Sequence, residues 1–573
     1  MRRAFRIRLR ILGAIVVSLA AFLVLRLYYV QVLEGDEYAI KAERQFLHSS
    51  EVLFNRGSIY FTRKDGTLLS AATLATGFTI AINPTNLKNP EEAYSLIAQN
   101  IEGINKEAFL VSASKKGDPY EVVAKKVSDD VGRAIYEKKV PGIIVERQRW
   151  RLYPARDEAA QSIGFIAYAD DNNLAGRTGL ERYYNDSLER SGEGLFGNFF
   201  SRLFVDLDSI VVDARSARQG DVITSIEPIV QEKLSQVLKQ ISNQYGSRET
   251  GGIIMDPKTG EIIALDTFPT FDLNSFQSED SEYFGNPLVE SRYEFGSIIK
   301  ALTMAGGIDS GAVTPTTTYL DTGCTTINKK KFCNYDLKAR GVTPMQEVLS
   351  QSLNMGASYI ALATGHDKFR DYFTKIGFGE ETGVDLPSEI RGDIKNLDSP
   401  RDIEYSTASY GQGIATTPIA TIRALGALAN HGSIVTPHIA TAIKLPSGIT
   451  RDLTWGKPEH VYKPESAAAV SKMLVEVVDT KLGGGKVKIP EMSVAAKTGT
   501  AQVAGTAGEY SENRYFHSFF GYFPAYDAKY IILLYTLEPK NVQYASETLT
   551  NPFMELTHYL INYYDVPPDR ATL

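Results

Sequence analysis

Ser297-Ile298-Ile299-Lys300, Ser352-Leu353-Asn354 and Lys497-Thr498-Gly499 follow one another along the chain in three different local settings. Any fold that uses them must bring a helix start, an inter-helix loop and a strand to one place. Gly296 and Ser297 followed by the largely apolar run 298–305 read as a tight turn entering a helix. Ser352-Leu353-Asn354 follows the helical run 344–349, at the end of the helical pattern 343–353, and precedes another at 357–362, so it reads as a loop projecting between helices. The small-residue segment 493–503 reads as a strand. Further strand patterns at 251–256, 261–265, 518–522 and 530–537, with helical ones at 228–241 and 419–430, predict an α+β fold with helices packed on an antiparallel sheet.

Each triplet alone is weak. Ser112-Ala113-Ser114-Lys115, Lys258-Thr259-Gly260 and Ser511-Glu512-Asn513 are second copies. Context separates them: Lys258-Thr259-Gly260 sits at a hairpin turn, where glycine serves backbone geometry. Around Ser297 the chemistry is coherent. A spacing of three puts Ser297 and Lys300 on one helical face, where a neutral amine can take the hydroxyl proton, and a lysine is neutral when burial and nearby positive charge lower its pKa. Lys497 can supply that charge. Ser352 can relay a proton, and Asn354 can hydrogen-bond a substrate amide. Alternation puts Thr498 and Thr500 on one face, where their hydroxyls can hold a terminal carboxylate, and Gly499 lets a substrate backbone approach. The same alternation sends Lys497 to the opposite face.

The N-terminus addresses location. Arg2, Arg3, Arg6, Arg8 and Arg10 precede an apolar stretch at 11–33 that lacks a small-residue cleavage pattern, so it reads as a retained signal anchor with the rest of the chain outside the cytoplasm. With 573 residues, of which 43% are hydrophobic, there is material for more than one core. The expected division is a cytoplasmic tail (1–10), a transmembrane anchor (11–33), a non-catalytic pedestal (34–215) and a catalytic domain (216–573). A net charge of -7 without clustered basic and aromatic residues argues against a nucleic-acid partner, and the run Lys329-Lys330-Lys331 reads as a solvated loop. Seven histidines at no metal spacing predict no metal and no cofactor. Cys324 and Cys333 lie in a polar stretch where a hairpin would set them opposite each other, which accommodates a local disulfide as well as two free thiols.

Taken together, these motifs resemble those of class B penicillin-binding proteins, the membrane-anchored peptidoglycan D,D-transpeptidases. The resemblance spans nearly the whole chain and includes Arg56-Gly57-x-Ile59, Arg151-Leu152-Tyr153-Pro154, Gly179-Leu180-Glu181, 256–274, Tyr410-Gly411-Gln412-Gly413 and Phe519-Phe520-Gly521-Tyr522. It implies a penicillin-binding transpeptidase fold on an elongated N-terminal pedestal, with one transmembrane helix in the bacterial cytoplasmic membrane. Carried to the matching positions, it implies that Ser297 attacks the D-Ala-D-Ala carbonyl of a peptidoglycan stem peptide with Lys300 as base. Ser352 and Lys497 relay protons, Asn354 orients the acyl chain, and Thr498, Gly499 and Thr500 hold the carboxylate end. It also implies that Lys497 sits in the cleft, that β-lactams inhibit, and that a SEDS-type membrane glycosyltransferase is the partner. Gly176-Arg177-Thr178-Gly179-Leu180-Glu181 resembles the elongation group. The chain departs from the family pattern at Phe295 and Ile298, where proline and threonine are usual, and in the longer turn 60–65. A hydrolytic relative (a D,D-carboxypeptidase or β-lactamase) and a β-lactam-binding scaffold are the alternatives.

Overall fold

The structure, a computed structural model, describes residues 55–170, 173–190, 219–278, 281–504 and 510–570. The anchor expected at 11–33 lies outside them. Among the described residues no helix is long and apolar enough to cross a membrane.

Contacts divide the chain into two compact units that interleave in sequence. The smaller contains 75–150, and the larger contains 56–74, 151–190 and the described residues from 219 onward. In the smaller unit, the second half of strand Leu68–Ile82 pairs antiparallel with Glu121–Val127, and helices Pro90–Asn100, Lys106–Ser114 and Asp129–Glu137 complete it. Asn89 and Asn105 cap the first two helices through their side-chain oxygens. Ile80, Ile82, Ile97, Phe109, Val127 and Ile135 form its core.

The larger unit is organised around a five-stranded antiparallel sheet, in the order Ala495–Ala504, Tyr510–Phe523, Tyr530–Leu537, Glu249–Met255 and Ile262–Phe268. Its strands are apolar on both faces because both faces are covered. Ile254, Phe519, Ile532 and Leu534 pack with Leu234 and Leu238 of helix Pro228–Tyr245 and with Phe553 and Leu556 of helix Thr550–Tyr563. Ile253, Phe520, Ile531 and Leu533 pack with a second set of helices, Lys300–Asp309, Pro418–Ala429 and Pro464–Thr480. The period of two therefore separates two cores rather than a core from solvent. The innermost helix of the second set, Lys300–Asp309, is buried from Lys300 through Gly307, and over that span it is apolar except for Lys300 and Thr303, whose hydroxyl donates to the Ser409 carbonyl at 2.8 Å.

A second sheet within the larger unit joins Ile59–Thr62, Asp221–Thr224, Ala440–Lys444 and Thr450–Asp452, with Leu68 to Ala72 paired to the first. Beside it Glu181, fully buried, receives the Nε–H of Arg56 and of Arg151, each at 2.6 Å. Residues widely separated in sequence, 56, 151 and 181, thus meet in one ion-paired cluster.

Three local readings need correction. The stretch 125–138, whose residues have helical spacing in the sequence, is the end of strand Glu121–Val127 followed by helix Asp129–Glu137, broken at the extended Ser128. The stretch 343–353 begins as strand Gly341–Pro344 and is helical only over Met345–Ser350. The run Lys329-Lys330-Lys331 is not a loop: Lys330 and Lys331 open a strand of a two-stranded hairpin, Cys324–Ile327 with Lys330–Cys333.

Candidate active site

Ser297 sits in a short 3-10 turn, Gly296–Ile299, that runs directly into helix Lys300–Asp309. Gly296 has φ +60°, and a Cβ there would lie 2.9 Å from the Thr500 carbonyl oxygen, so the turn rests against the edge strand. The same closeness recurs at Gly499, where a Cβ would stand 2.4 Å from Ser518 Oγ and 2.5 Å from the Phe295 carbonyl oxygen. Ser518 fastens the contact by donating its hydroxyl to that carbonyl at 2.7 Å. Phe295 and Ile298 point inward: both are buried, and Phe295 packs edge-on against Phe516 at 5.2 Å. The two departures from the family pattern thus face the core.

Lys300 Nζ lies 2.9 Å from Ser297 Oγ, 2.7 Å from the Ser352 carbonyl oxygen and 3.2 Å from Ser352 Oγ. Lys497 Nζ lies 3.1 Å from the same Ser352 Oγ and 3.0 Å from the Thr498 carbonyl. Both lysines are almost without solvent exposure, 1% and 3%. Burial drives the Lys300 pKa well below its ordinary value, and the neighbouring Lys497 adds to the fall. Burial brings Lys497 down to about 7. No carboxylate pairs with either amine among the described residues, which is why both shifts run downward.

Ser352 reaches this position because its backbone takes the left-handed conformation, φ +56°, at the break between helices Met345–Ser350 and Asn354–Thr364. Asn354 donates its side-chain N–H to the Cys333 carbonyl at 2.9 Å, which leaves its amide oxygen as the acceptor for a ligand N–H. Cys333 and Cys324 are directly opposite in the hairpin and joined as a disulfide. Asn334 ties the hairpin base down: it accepts from Met355 N–H at 3.1 Å and donates to both oxygens of Asp321.

Alternation along Ala495–Ala504 is strict. Lys497 pairs opposite Phe520 and Gly499 opposite Ser518, on the face that carries the serine helix, while Thr498 and Thr500 take the other face. Lys497 is therefore in the site because the serine lies on its face, and the threonines line the cleft because the strand is at the sheet edge. Thr500 Oγ1 accepts from the Ala545 N–H at 3.0 Å, keeping its own hydrogen free to donate.

Ser297, Ser352, Asn354, Lys497, Thr498 and Thr500 line one cleft of about 1330 Å³, larger than a typical small-molecule site and roomy enough for a peptide. Its other walls come from segments without a motif, Tyr335, Tyr510, Tyr515, Gln543 and Tyr544, while Tyr410, first residue of Tyr410-Gly411-Gln412-Gly413, lies beneath the Lys300 amine. Glu294, next to the serine turn, was also missed. Its carboxyl, pushed up by burial, accepts from the Gly413 N–H at 2.9 Å and the Tyr510 hydroxyl at 3.1 Å, so it braces two cleft walls. Its place two residues before Gly296 was the available signal.

The second copies of the motifs are elsewhere. Lys115 pairs with Glu121, and Lys258, in a turn where its backbone N–H donates to the Asp256 carboxylate, pairs with Asp527. Ser511-Glu512-Asn513 runs within the strand Tyr510–Phe523.

A serine on a helix start, a buried lysine one turn on, and a second buried lysine on the edge strand of a helix-covered sheet define a serine acyltransferase site. The comparisons agree in class. The Penicillin binding protein transpeptidase domain model matches residues 250–556, and the Penicillin-binding Protein dimerisation domain model matches 53–193. The chain therefore belongs to the penicillin-binding protein transpeptidase family and, carrying both domains, to its class B. Stage V sporulation protein D of Bacillus subtilis is 26% identical over 96% of this chain and 84% of its own length. Peptidoglycan D,D-transpeptidase MrdA of Acinetobacter baumannii is 26% identical over 88% and 80%. The fold is shared with penicillin binding protein 2X of Streptococcus thermophilus, at a TM-score of 0.72 and 20% identity over 90% of this chain and 81% of that one.

Proposed function

We propose that this chain is a peptidoglycan D,D-transpeptidase in which Ser297 is the nucleophile and Lys300 its base. The observation that carries the reading is the 2.9 Å approach of a buried, pKa-depressed Lys300 amine to the Ser297 hydroxyl. Membership in the transpeptidase family supplies the reaction class.

Neutral Lys300 takes the Ser297 proton as Oγ attacks the carbonyl carbon between the two D-Ala residues of a donor stem peptide. The backbone N–H groups of Ser297 and Thr500 hold the developing oxyanion, a pairing supported by the contact between the serine turn and the strand at Gly296. The tetrahedral intermediate collapses with cleavage of the C–N bond. The departing D-Ala amine receives a proton through Ser352, which both lysines reach. The Ser297 ester is then attacked by an amine of a neighbouring stem, whose proton returns along the same relay to Ser297. Asn354 aligns the acyl chain through its amide oxygen, and Thr498 and Thr500 hold the terminal carboxylate. β-Lactams enter the same site as donors that stall at the ester.

The arginine-rich tail and apolar stretch 1–33 support a single-pass anchor with the catalytic domain outside the cytoplasmic membrane. A chain with no sugar-transfer carboxylate pair before residue 216 relies on a separate membrane glycosyltransferase, of SEDS type by family resemblance.

Intact-mass analysis after incubation with a penicillin tests the central claim. Wild type is expected to gain one penicillin mass and Ser297→Ala none. An adduct retained by the alanine variant removes Ser297 from the reaction.

A further inference from the structure

We propose that Lys330 and Lys331, on the disulfide-closed hairpin, form an anion-reading arm that selects donor peptides carrying a free carboxylate on the N-terminal side of the scissile bond. The inference rests on the transpeptidase reading of the site and deepens it by naming a determinant of the donor.

The first observation is charge. The chain has a net charge of -7, yet the cleft is lined by Lys330, Lys331, Lys481 and Lys497 against one acid, Glu404. Glu404 is ion-paired with Arg401, and Lys481 lies 3.9 Å from Glu347. Lys330 and Lys331 have no ion-pair partner among the described residues and are exposed. A locally cationic cleft in an acidic protein is complementary to an anionic ligand and repels a cationic one.

The second observation is rigidity. Exposed lysines ordinarily sweep a wide volume, but these two are borne on a hairpin held at every corner. Asn328 and Lys329, with φ of +47° and +66°, make its two-residue turn. Asn328 Oδ1 accepts from the Ile403 N–H at 3.2 Å, the disulfide closes the other end, and Phe332 packs against Tyr410 at 6.2 Å. The backbone beneath both ammonium groups is therefore fixed with respect to Ser297.

The third observation gives direction. The hydroxyls that hold the terminal carboxylate belong to the edge strand. The hairpin joins the site through Asn354, whose N–H is held by the Cys333 carbonyl and whose oxygen aligns the acyl chain. An arm attached on the Asn354 side meets the part of the peptide that stays on Ser297 after D-Ala departs. A carboxylate on that part of the peptide meets the two ammonium groups, and amidation of it removes the charge.

The test uses the full-length chain in detergent with a fixed, saturating amine acceptor and two synthetic stem pentapeptides that differ only in whether this upstream carboxylate is free or amidated. The readouts are kcat and KM for D-Ala release at two salt concentrations. For wild type the free acid is expected to be preferred by roughly 3- to 10-fold in kcat/KM, carried by KM, as two solvent-exposed ion pairs allow. Added salt shrinks the preference. Lys330→Gln with Lys331→Gln is expected to abolish it, and Lys330→Glu with Lys331→Glu to reverse it; unchanged melting temperatures confirm that the variants fold. A preference that survives both charge changes, or a wild type indifferent to amidation, overturns the proposal. If wild type releases D-Ala from neither peptide yet is acylated by penicillin at Ser297, the arm is refuted and the site stands. If it is acylated by neither, the transpeptidase reading falls with it.

Discussion

Lys300 and Lys497 both reach the Ser352 hydroxyl, at 3.2 and 3.1 Å, so two amines that would each be charged in water share one oxygen in a buried place. Their titration belongs to the pair, and in the proposed mechanism both amines border the relay through Ser352, with Lys300 as the base. Acylation needs Lys300 neutral, so its rate is expected to rise with pH along a limb far below the ordinary lysine pKa. Burial is the larger cause of that depression and the Lys497 charge the smaller one. Lys497→Met removes only the second cause, so the limb is expected to move to higher pH while staying well under the free-lysine value. The pH dependence of the second-order rate of penicillin acylation checks this, and an unmoved limb contradicts the coupling. Gly499→Ala tests a steric point at the same scale. Its Cβ would fall 2.4 Å from Ser518 Oγ and 2.5 Å from the Phe295 carbonyl, the second a backbone atom that cannot rotate away. The serine turn must shift from the strand, and a fall in acylation rate of roughly 100-fold is expected, the scale of a misplacement near 1 Å. Wild-type acylation by this variant would show that the contact is not what positions Ser297.

At the scale of elements, the disulfide hairpin is the piece that links a wall of the cleft to its chemistry. Cys324 and Cys333 enclose a loop with a sequence separation of 9, for which loop-closure entropy stabilises the hairpin by about 2–3 kcal/mol. Replacing both cysteines by serine is expected to speed amide exchange locally across 324–333 by roughly 30- to 150-fold. It should also slow acylation, because the Cys333 carbonyl that holds Asn354 is no longer fixed. Exchange measured by mass spectrometry beside penicillin acylation checks both, and protection equal to wild type contradicts the bracing role. How much of this was legible in the sequence follows from where the signals lie. Helix Pro228–Tyr245 and strand Tyr530–Leu537 were readable because their apolar periods are long and their packing is regular. The cleft face of Lys497 was not: alternation fixed which residues share a face with it, but which face meets the serine depends on the packing of helix Lys300–Asp309. The end of helix Met345–Ser350 was obscure because Ser352, a non-glycine residue, takes a left-handed conformation that its tertiary contacts impose. Tyr335, Tyr510 and Tyr544 carry no local mark, since they become one wall only after distant segments converge.

For the molecule as a whole, the larger unit must be assembled from stretches of chain that leave it and return, and the cluster around Glu181 holds two of those stretches together. Arg56 comes from the stretch 56–74, and Arg151 and Glu181 from 151–190. The pairs are supplemented by bonds from Arg56 to the Glu181 carbonyl and from Arg151 to the Gly57 carbonyl, both at 2.7 Å. In such a dry place the carboxylate is valuable chiefly because removing it strands two guanidinium groups, each of which costs several kcal/mol to bury alone. Glu181→Ala is therefore expected to lose about 3–5 kcal/mol of stability, read as a lower urea midpoint of the larger unit. Glu181→Gln keeps the acceptor oxygen but not the charge, so it should fall between wild type and alanine. Replacing all three residues together by apolar ones of similar volume should recover much of the loss, because no charge is then left unpaired. Ser297 and Lys300 take no part in the cluster, so acylation measured below the unfolding transition should separate a loss of assembly from a loss of chemistry. Alanine and glutamine variants as stable as wild type would mean that the two stretches are held by their apolar residues alone, Ile59 and Phe61 from one and Leu180 and Leu188 from the other among them.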